Sequence, residues 1–511
     1  MDYSENMFHK IHCVSCGEIS SVNNFAFDVG AILKKGCKNT DFEALTYLEF
    51  KLYLTIEEFK GFFYYKTDTY YFNIENLKLL LLRLCGEKDF ETLYQKTIDV
   101  NDLAELANKI SSGNIGYENR AYLSDLAGLC KKYDNNLKIL KFKIKTNYIK
   151  DDQDLRYCNK VTFYFNNISE DTKPICKECG EPYFELSGLH KEYIITMAGT
   201  TRTGKTAYLA ALVTALEKNR ETNHILEMKV SNDIYWDNFK EQVLDKYKKG
   251  NKYENTTINN EDKIPLFMLG ITVNKGTYNF IFIDMPGEVY EQEKADFQDG
   301  KFIINNKKIV NYTDVIFLCI TSNQISKKYL IKQPEQYEGD STNEDMMEVI
   351  DRTINTIKSI PNYTDKIVAL LITKSDLLND KYSDLLYSNY EYIENYMDKN
   401  DDIIDFDKLN EYMQKSIEYL NESGQIVNGI TSVFNKLNGF AVAAYQKNNE
   451  DRMEIVQSNV LAPFAWLLAV LELMDVGESK KTILFFKKII KVTDLNRLYF
   501  KNEKEGNNGL L

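Results

Sequence analysis

The 511-residue sequence has little of what would place it in a membrane, outside the cell or on a nucleic acid. It has no uninterrupted apolar run of about 20 residues, the length that a bilayer core demands. The longest such stretch near the end, 460–474, is broken by Pro463 and Glu472 and reads as a core helix, so stable membrane insertion is not expected. The first ten residues carry acidic side chains and no apolar h-region, the pattern of a chain without a secretory signal. A cytoplasmic location is the expectation, and in a reducing compartment the 9 cysteines read as metal ligands or core residues, not disulfides. A basic excess is lacking too. The 63 Lys and Arg are outnumbered by 76 Asp and Glu, and the net charge of −13 repels polyanions at long range. No basic cluster stands out along the chain, which argues against a nucleic-acid partner. With only 7 prolines and much Asn, Lys, Tyr and Ile, the composition reflects an AT-rich coding genome, so an isolated lysine carries little weight as a motif element.

What is present is a globular chain with 44% apolar and 13% aromatic residues, too long for one core and sized for about three units. Two copies of C-x-x-C-G-E stand far apart, one with Cys13 and Cys16, the other with Cys176 and Cys179. In each, two thiolates three positions apart can chelate one ion, and the glycine permits the tight turn of a zinc knuckle. The alternatives are that the two knuckles complete one structural four-cysteine zinc site, that each binds its own ion, or that the four cysteines are unrelated; His9 and His12 are neighbouring substitutes. Cys37, Cys85, Cys130, Cys158 and Cys319 have no chelating spacing and read as core. If one zinc is shared, residues 1–28 and 173–190 form a split zinc-ribbon-like element. The metal then pins the ends of a mixed α/β insertion, 29–172, with helical periodicity at 42–50 and 73–84 and strand alternation at 137–145. No paired carboxylates or nucleophile elbow stand out in the insertion, which is expected to be a recognition or regulatory module.

The chain is organised around residues 193–212: an apolar strand pattern, the loop Gly199-Thr200-Thr201-Arg202-Thr203-Gly204-Lys205-Thr206, then a helical pattern from Ala207. Glycines at both ends of such a loop let successive N–H groups point inward at a phosphate chain. Lys205 suits the β- and γ-phosphate oxygens, Thr206 suits Mg²⁺, and the helix start adds a positive dipole end. An amphipathic run at 232–249 follows. An antiparallel hairpin at 265–284 delivers Asp284 at a strand end, placed to hold Mg²⁺ through water, and Gly287, placed to offer its N–H to a γ-phosphate. Strands at 315–320, 367–372 and 439–444 alternate with helical segments, which gives an α/β, doubly wound, mostly parallel sheet with its ligand at the carboxyl edge. The segment Thr373-Lys374-Ser375-Asp376 ends the strand at 367–372. There an Asp carboxylate can accept from the N1–H and exocyclic amine of guanine, and a lysine stem can lie along the base. Ala443 and Ala444 end the next strand and could close over the base or be plain core.

In order across the chain, G-T-T-R-T-G-K-T, D-M-P-G and T-K-S-D resemble the first, third and fourth motifs of the translation-factor-related (TRAFAC) P-loop GTPases. The cysteine knuckles ahead of them, and the P-x-x-W-L-L pattern at Pro463, Trp466, Leu467 and Leu468, are similar to the bacterial double-GTPase (DO-GTPase-like) proteins of conflict systems. The resemblance implies a GTPase domain over 191–476 with helical insertions, GTP and Mg²⁺ as ligands, catalysis by Lys205, Arg202 and Glu288, and a role in bacterial defence. The R-T-G-K form resembles guanylate-binding proteins, whose loop arginine acts in cis within a nucleotide-dependent homodimer. In this chain Arg202 is either such a finger or a solvated side chain. Glu288 stands where many relatives carry Gln or His to orient water, so hydrolysis is slower or uses Glu as a base. Thr256 or Thr257 is expected to complete the Mg²⁺ shell. The helical stretch 389–435 suits a protein effector, and the basic, apolar run 480–491 lies in a C-terminal helical tail, 477–511. The reading is a GTP-hydrolysing switch acting on a protein partner. Its alternatives are a non-hydrolysing GTP-bound scaffold or sensor, and an ATPase in which T-K-S-D is accidental.

Overall fold

The computed structural model describes residues 10–85, 117–221, 227–250, 266–285, 311–322, 360–377, 403–422, 433–447 and 453–477, less positions 39, 49, 152–153, 166–167, 232 and 435. The short pieces 297–298, 301–302, 354–355, 357–358 and 397–398 are described as well. The chain divides into two compact units, Met1–Tyr183 and Phe184–Leu511.

In the first unit, β1 (Lys10–His12) and β2 (Ile19–Ser21) form a hairpin, and β3 (Ala26–Asp28) pairs antiparallel with β4 (Tyr53–Thr55). A five-stranded antiparallel sheet follows: β5 (Tyr64–Lys66), β6 (Thr69–Asn73), β7 (Lys138–Lys150), β8 (Arg156–Phe165) and β9 (Ile168–Thr172), each beside the next. The alternation read at 137–145 is real: Leu140 and Phe142 are buried while Lys141, Lys143 and Lys145 are exposed, as a period of two requires. The inner face packs with helices Val29–Cys37, Ile74–Cys85 and Tyr117–Lys132 around one core that includes Leu33, Leu77, Leu126, Phe142 and Phe163. The helix Ile56–Phe62 starts at a reciprocal cap, with Thr55 Oγ1 accepting from the Glu58 N–H and Glu58 Oε2 from the Thr55 N–H. The periodicity at 42–50 yields only the helical turn Ala44–Tyr47. Phe42, Leu45 and Leu48 are all buried, and a spacing of three is met equally well by one turn followed by extended chain.

The second unit contributes β10 (Glu192–Ala198), β11 (Glu227–Val230), β12 (Leu266–Val273), β13 (Gly276–Asp284), the two-residue pair β14 (Phe297–Gln298) and β15 (Lys301–Phe302), β16 (Val315–Thr321) and β17 (Ile367–Thr373). After β18 (Met397–Asp398) and β19 (Ile403–Asp405) come β20 (Lys436–Ala441), the ribbon β21 (Ala443–Lys447) and β22 (Met453–Ser458), and β23 (Asp475–Gly477). The main sheet runs β11-β12-β13-β10-β16-β17-β20. β10 lies between β13 and β16, parallel to both, and β16, β17 and β20 continue in parallel, while β11, β12 and β13 are antiparallel. This is the mostly parallel α/β sheet expected. Every residue of β10, β16 and β17 is buried, which is why these strands read as continuous apolar runs.

Three expectations change in detail. The run at 232–249 is a helix, Ile234–Phe239, capped by Asp233, then a π turn, Lys240–Leu244, and a last turn, Asp245–Lys248. The strand at 439–444 is two strands, because Ala441 is tied by the Tyr412 and Ser416 hydroxyls while Val442 bonds both Ile372 and Ser375. Within 389–435 the described helix is Phe406–Glu422. The core helix expected near the end is Ala462–Val470, with Pro463 in its first turn and every residue buried. Among the described residues, no helix is long and apolar enough to cross a membrane.

Candidate nucleotide site and metal centre

The register brings the motif ends to one edge of the sheet. Met197 of β10 pairs with Asp284 of β13, and Thr321 of β16 pairs with Thr373 of β17. The phosphate-loop candidate leaves β10 just beyond Ala198, and the helix Lys205–Glu221 begins immediately after it. Within the loop, Gly199, Arg202 and Gly204 all have positive φ (136°, 64° and 83°). For Arg202 that conformation costs on the order of 1 kcal/mol, a strain that makes sense where neighbouring N–H groups must turn inward as an anion nest. The loop is braced from within: Thr203 Oγ1 donates to the Thr200 carbonyl at 2.8 Å, and Thr373 Oγ1 donates to the Thr203 carbonyl at 2.6 Å. A Cβ on Gly199 would lie 2.5 Å from the Cys319 carbonyl oxygen, so no side chain fits there. Lys205 is buried, its Nζ donating to the Gly199 and Thr200 carbonyls, each at 2.7 Å. Thr201, Thr206 and Ala207 are half-buried, Thr200 and Thr203 are buried, and Arg202 is exposed.

Thr206 Oγ1 donates to Asp284 Oδ2 at 2.5 Å, while the other oxygen, Oδ1, is buried and has no hydrogen-bond partner. Burial pushes the Asp284 carboxyl up from its ordinary value, against the pull of the Lys205 ammonium and the Thr206 hydroxyl. An orphaned carboxylate oxygen beside a hydroxyl, at the start of a helix and near a buried ammonium, is a hard donor set that fits Mg²⁺. The β12–β13 hairpin that delivers Asp284 is the one read from the sequence.

At the end of β17, Lys374 has φ 54°, and Asp376 lies in the single turn Ser375–Leu377. The turn is held by Ser322, whose Oγ donates to the Lys374 carbonyl at 2.7 Å, and by the Ser375 N–H on the Val442 carbonyl at 3.3 Å. Burial pushes the Asp376 carboxyl up to about 7, opposed by its backbone hydrogen bond and by Lys374. Thr373 therefore joins the Asp376 turn to the phosphate loop, a bracing part that the sequence alone does not distinguish from nucleotide contact. Ser322 is not singled out by the sequence; its place one residue past β16, at the same edge, is the available signal. Tyr247 Oη donates to the Ala444 carbonyl at 2.9 Å, fixing the chain just past Ala443.

In the first unit, the four sulfurs of Cys13, Cys16, Cys176 and Cys179 lie within 4.8 Å of one another. Cys13 Sγ is 3.4 Å from Cys179 Sγ, and Cys16 Sγ is 3.6 Å from Cys176 Sγ. Four thiolates about 2.3 Å from one ion sit about 3.8 Å from each other in a tetrahedron, so this set fits one zinc. The two knuckles repeat each other bond for bond. The Cys13 N–H donates to the Glu18 carbonyl and the Gly17 N–H to the Cys13 carbonyl, as Cys176 does to Glu181 and Gly180 to Cys176. Gly17 and Gly180 have φ of 71° and 79°, and a Cβ on Gly180 would strike the Tyr53 hydroxyl. Cys37, Cys130, Cys158 and Cys319 are buried core residues.

Gly287 and Glu288 lie outside the described residues, as do Thr256, Thr257, His9 and the run 480–491. No curated protein matches the chain. Among solved structures, the bacterial selenocysteine-specific elongation factor EF-Sec matches over 49% of this chain and 25% of its own, at 12% identity and a TM-score of 0.20. That likeness is too slight to carry an argument, and the matched part is a quarter of the factor's length. Residues 193–418 match the model of the family Double-GTPase 2, a segment that contains the phosphate loop, Asp284 and the Asp376 turn. These elements therefore lie in a segment, somewhat less than half of the chain, that is similar to the Double-GTPase 2 family, a likeness that supports a GTP-binding protein.

Proposed function

We propose that this chain is a Mg²⁺-dependent GTPase that changes conformation with the γ-phosphate to control a protein partner. The observation that carries the proposal is the joining of three motifs at one sheet edge: Thr206 bonded to Asp284, and Thr373 bonded to the phosphate loop one residue before Lys374. The nest around Gly199, Thr200, Thr201, Arg202, Thr203 and Gly204 binds the phosphates through N–H groups, aided by Lys205 and the N-terminal end of the helix that begins there. Thr206 and Asp284 hold Mg²⁺, which when bound neutralises charge on the β- and γ-phosphate oxygens. Lys374 lies along the guanine and Asp376 accepts from its N1–H and amine. Arg202, exposed within the loop, would act on the γ-phosphate as the resemblance to guanylate-binding proteins implies, while Gly287 and Glu288 take the roles expected from the family resemblance. The zinc-stapled element, the insertion at 29–172 as a recognition module, a nucleotide-dependent homodimer and a role in bacterial defence are parts of the same proposal.

The rival, a GTP-loaded scaffold, differs in one outcome. Purified protein loaded with GTP and Mg²⁺ is expected to release phosphate, and Lys205→Met to abolish release. Retained GTP with no phosphate over many hours would favour the scaffold.

Asp376 also sets a pH dependence. Guanine takes the ionised carboxylate, whereas burial raises the free protein's carboxyl to about 7. The site is therefore mostly protonated at about pH 6 and mostly ionised at about pH 8. GTP affinity is expected to be about tenfold weaker at the lower pH, with proton release on binding in that window. For the free chain the sign is reversed: a carboxyl whose folded value is raised favours folding at low pH, and that contribution is lost as pH rises through about 7. Titrations of a labelled guanine nucleotide between about pH 5.5 and 8.5 check the first statement; a flat profile would contradict it.

A further inference from the structure

The five-stranded sheet lies in the first unit, and none of its residues is among the candidate nucleotide-site residues. On β7 its outer face presents Lys141, Lys143 and Lys145, all exposed, two residues apart and hence about 6.8 Å from one another. Tyr71 of β6 pairs with Lys141, and Tyr164 of β8 pairs with Lys143, so the two rings flank the lysine row on the same face. Tyr64 of β5 pairs with Tyr71, their ring centroids 6.0 Å apart, and extends the aromatic side outward. Tyr64 is 52% exposed and Tyr164 43%. Lys138 Nζ lies over the Tyr71 ring at 4.2 Å, so this tyrosine already holds a cation on its π face, and a base stacking there would displace the flexible lysine. The acid on this face, Asp171 of β9, is bound to Lys160 at 2.5 Å and to Thr162 at 2.7 Å. Among the described residues, no ion pair engages Lys141, Lys143 or Lys145.

Lys141 is paired with β6, and Lys143 and Lys145 with β8, so each has a neighbouring strand on one side of β7, where a lysine can also guard an open edge. Three ammonium groups in a row on one face repel one another, and a ligand of repeating negative charge relieves that repulsion. The rings favour nucleobases over carboxylates as the rest of that ligand. Two strand spacings of about 4.8 Å and one two-residue rise place the Tyr71 and Tyr164 Cα atoms about 12 Å apart, with the charge row running between them. A stacking platform on each side of a cationic track is the arrangement that holds single strands without reading sequence. We propose that this sheet face binds single-stranded nucleic acid, the phosphates along Lys141, Lys143 and Lys145 and bases on Tyr71 and Tyr164.

The full-length protein is titrated into a fluorescein-labelled single-stranded RNA of about 12 nucleotides, with a duplex of equal length and poly-glutamate as competitors. Saturable binding is expected, weakening about twentyfold as monovalent salt rises from about 50 to 200 mM if three phosphates are neutralised. The triple variant Lys141→Gln, Lys143→Gln, Lys145→Gln should flatten that salt dependence. Tyr71→Ala and Tyr164→Ala should each weaken binding by about fivefold or more and leave the salt slope unchanged, while Tyr164→Phe retains binding. All these positions lie on the outer face of the sheet, and unchanged thermal melting and GTP binding verify the fold of each variant. Absence of binding at low salt would overturn the proposal. So would indifference to the tyrosine changes with equal competition by poly-glutamate, which would mark an acidic protein segment as the occupant, or equal competition by the duplex.

Discussion

Asp376→Asn is expected to lower GTP affinity by about a hundredfold or more and to raise affinity for xanthosine triphosphate. The carboxylate can accept from two donors on the guanine edge. An amide in its place accepts from one and turns its own NH2 against the exocyclic amine. A buried donor left unpaired costs about 1–3 kcal/mol, and replacing attraction by repulsion adds to that, so two decades in affinity is a conservative figure. Xanthine carries an oxygen where guanine has the amine, which restores the pairing with asparagine. The fold is not at stake, since the Ser375–Leu377 turn is held by backbone groups and by Ser322. Competition titrations with GTP, ATP and xanthosine triphosphate against wild type read the result, and unchanged nucleotide preference would show that Asp376 does not face the base.

Zinc removal is expected to unfold the first unit. The four-cysteine set fits one ion shared between segments about 160 residues apart in sequence, and structural zinc contributes apparent free energies of about 10–16 kcal/mol in small sites. That is comparable with the whole stability of a domain, about 5–15 kcal/mol. Without the ion, burial pushes the Cys13 thiol well up and the Cys16 thiol to about 11, so these two thiols stay protonated and the knuckles are left with lesser ties such as Ser20 to Tyr183 and Ala26 to Ile175. Metal analysis should find one zinc per chain. A strong chelator, or Cys176→Ser, should abolish the cooperative melting of the first unit while the GTP-binding domain, which has its own core, still melts. Two zinc ions per chain would mean that each knuckle binds separately, and no zinc would refute the centre.

The parts legible in the sequence are those in which local chemistry and position agree. The C-x-x-C-G-E repeats specify both the chelating pair and the glycine turn, so the centre could be read before the fold. The phosphate loop could be read because a buried strand before it and a helix after it are each written in their own period. Where a side chain acts on another part of the chain, the sequence is silent. Thr373 looks like a nucleotide residue and the structure shows its hydroxyl on the Thr203 carbonyl; Ser322 goes unnoticed, because only the parallel register of β16 and β17 places it against Lys374. The strand expected at 439–444 breaks at Val442, since its termination depends on Tyr412 and Ser416 from a helix distant in sequence. The lysine row of β7 is present in the alternation at 137–145, yet in the sequence it looks like composition. It becomes a surface only when the flanking strands add Tyr71 and Tyr164 on the same side.

The most direct test of the central claim, that this edge binds a guanine nucleotide, is a side-by-side titration of purified protein in Mg²⁺ with fluorescent GTP and ATP analogues. Selective GTP binding, with ATP failing to compete at about a hundredfold excess, is expected from the Asp376 carboxyl. Equal or preferential binding of ATP would contradict it and leave the phosphate loop without its base-reading partner.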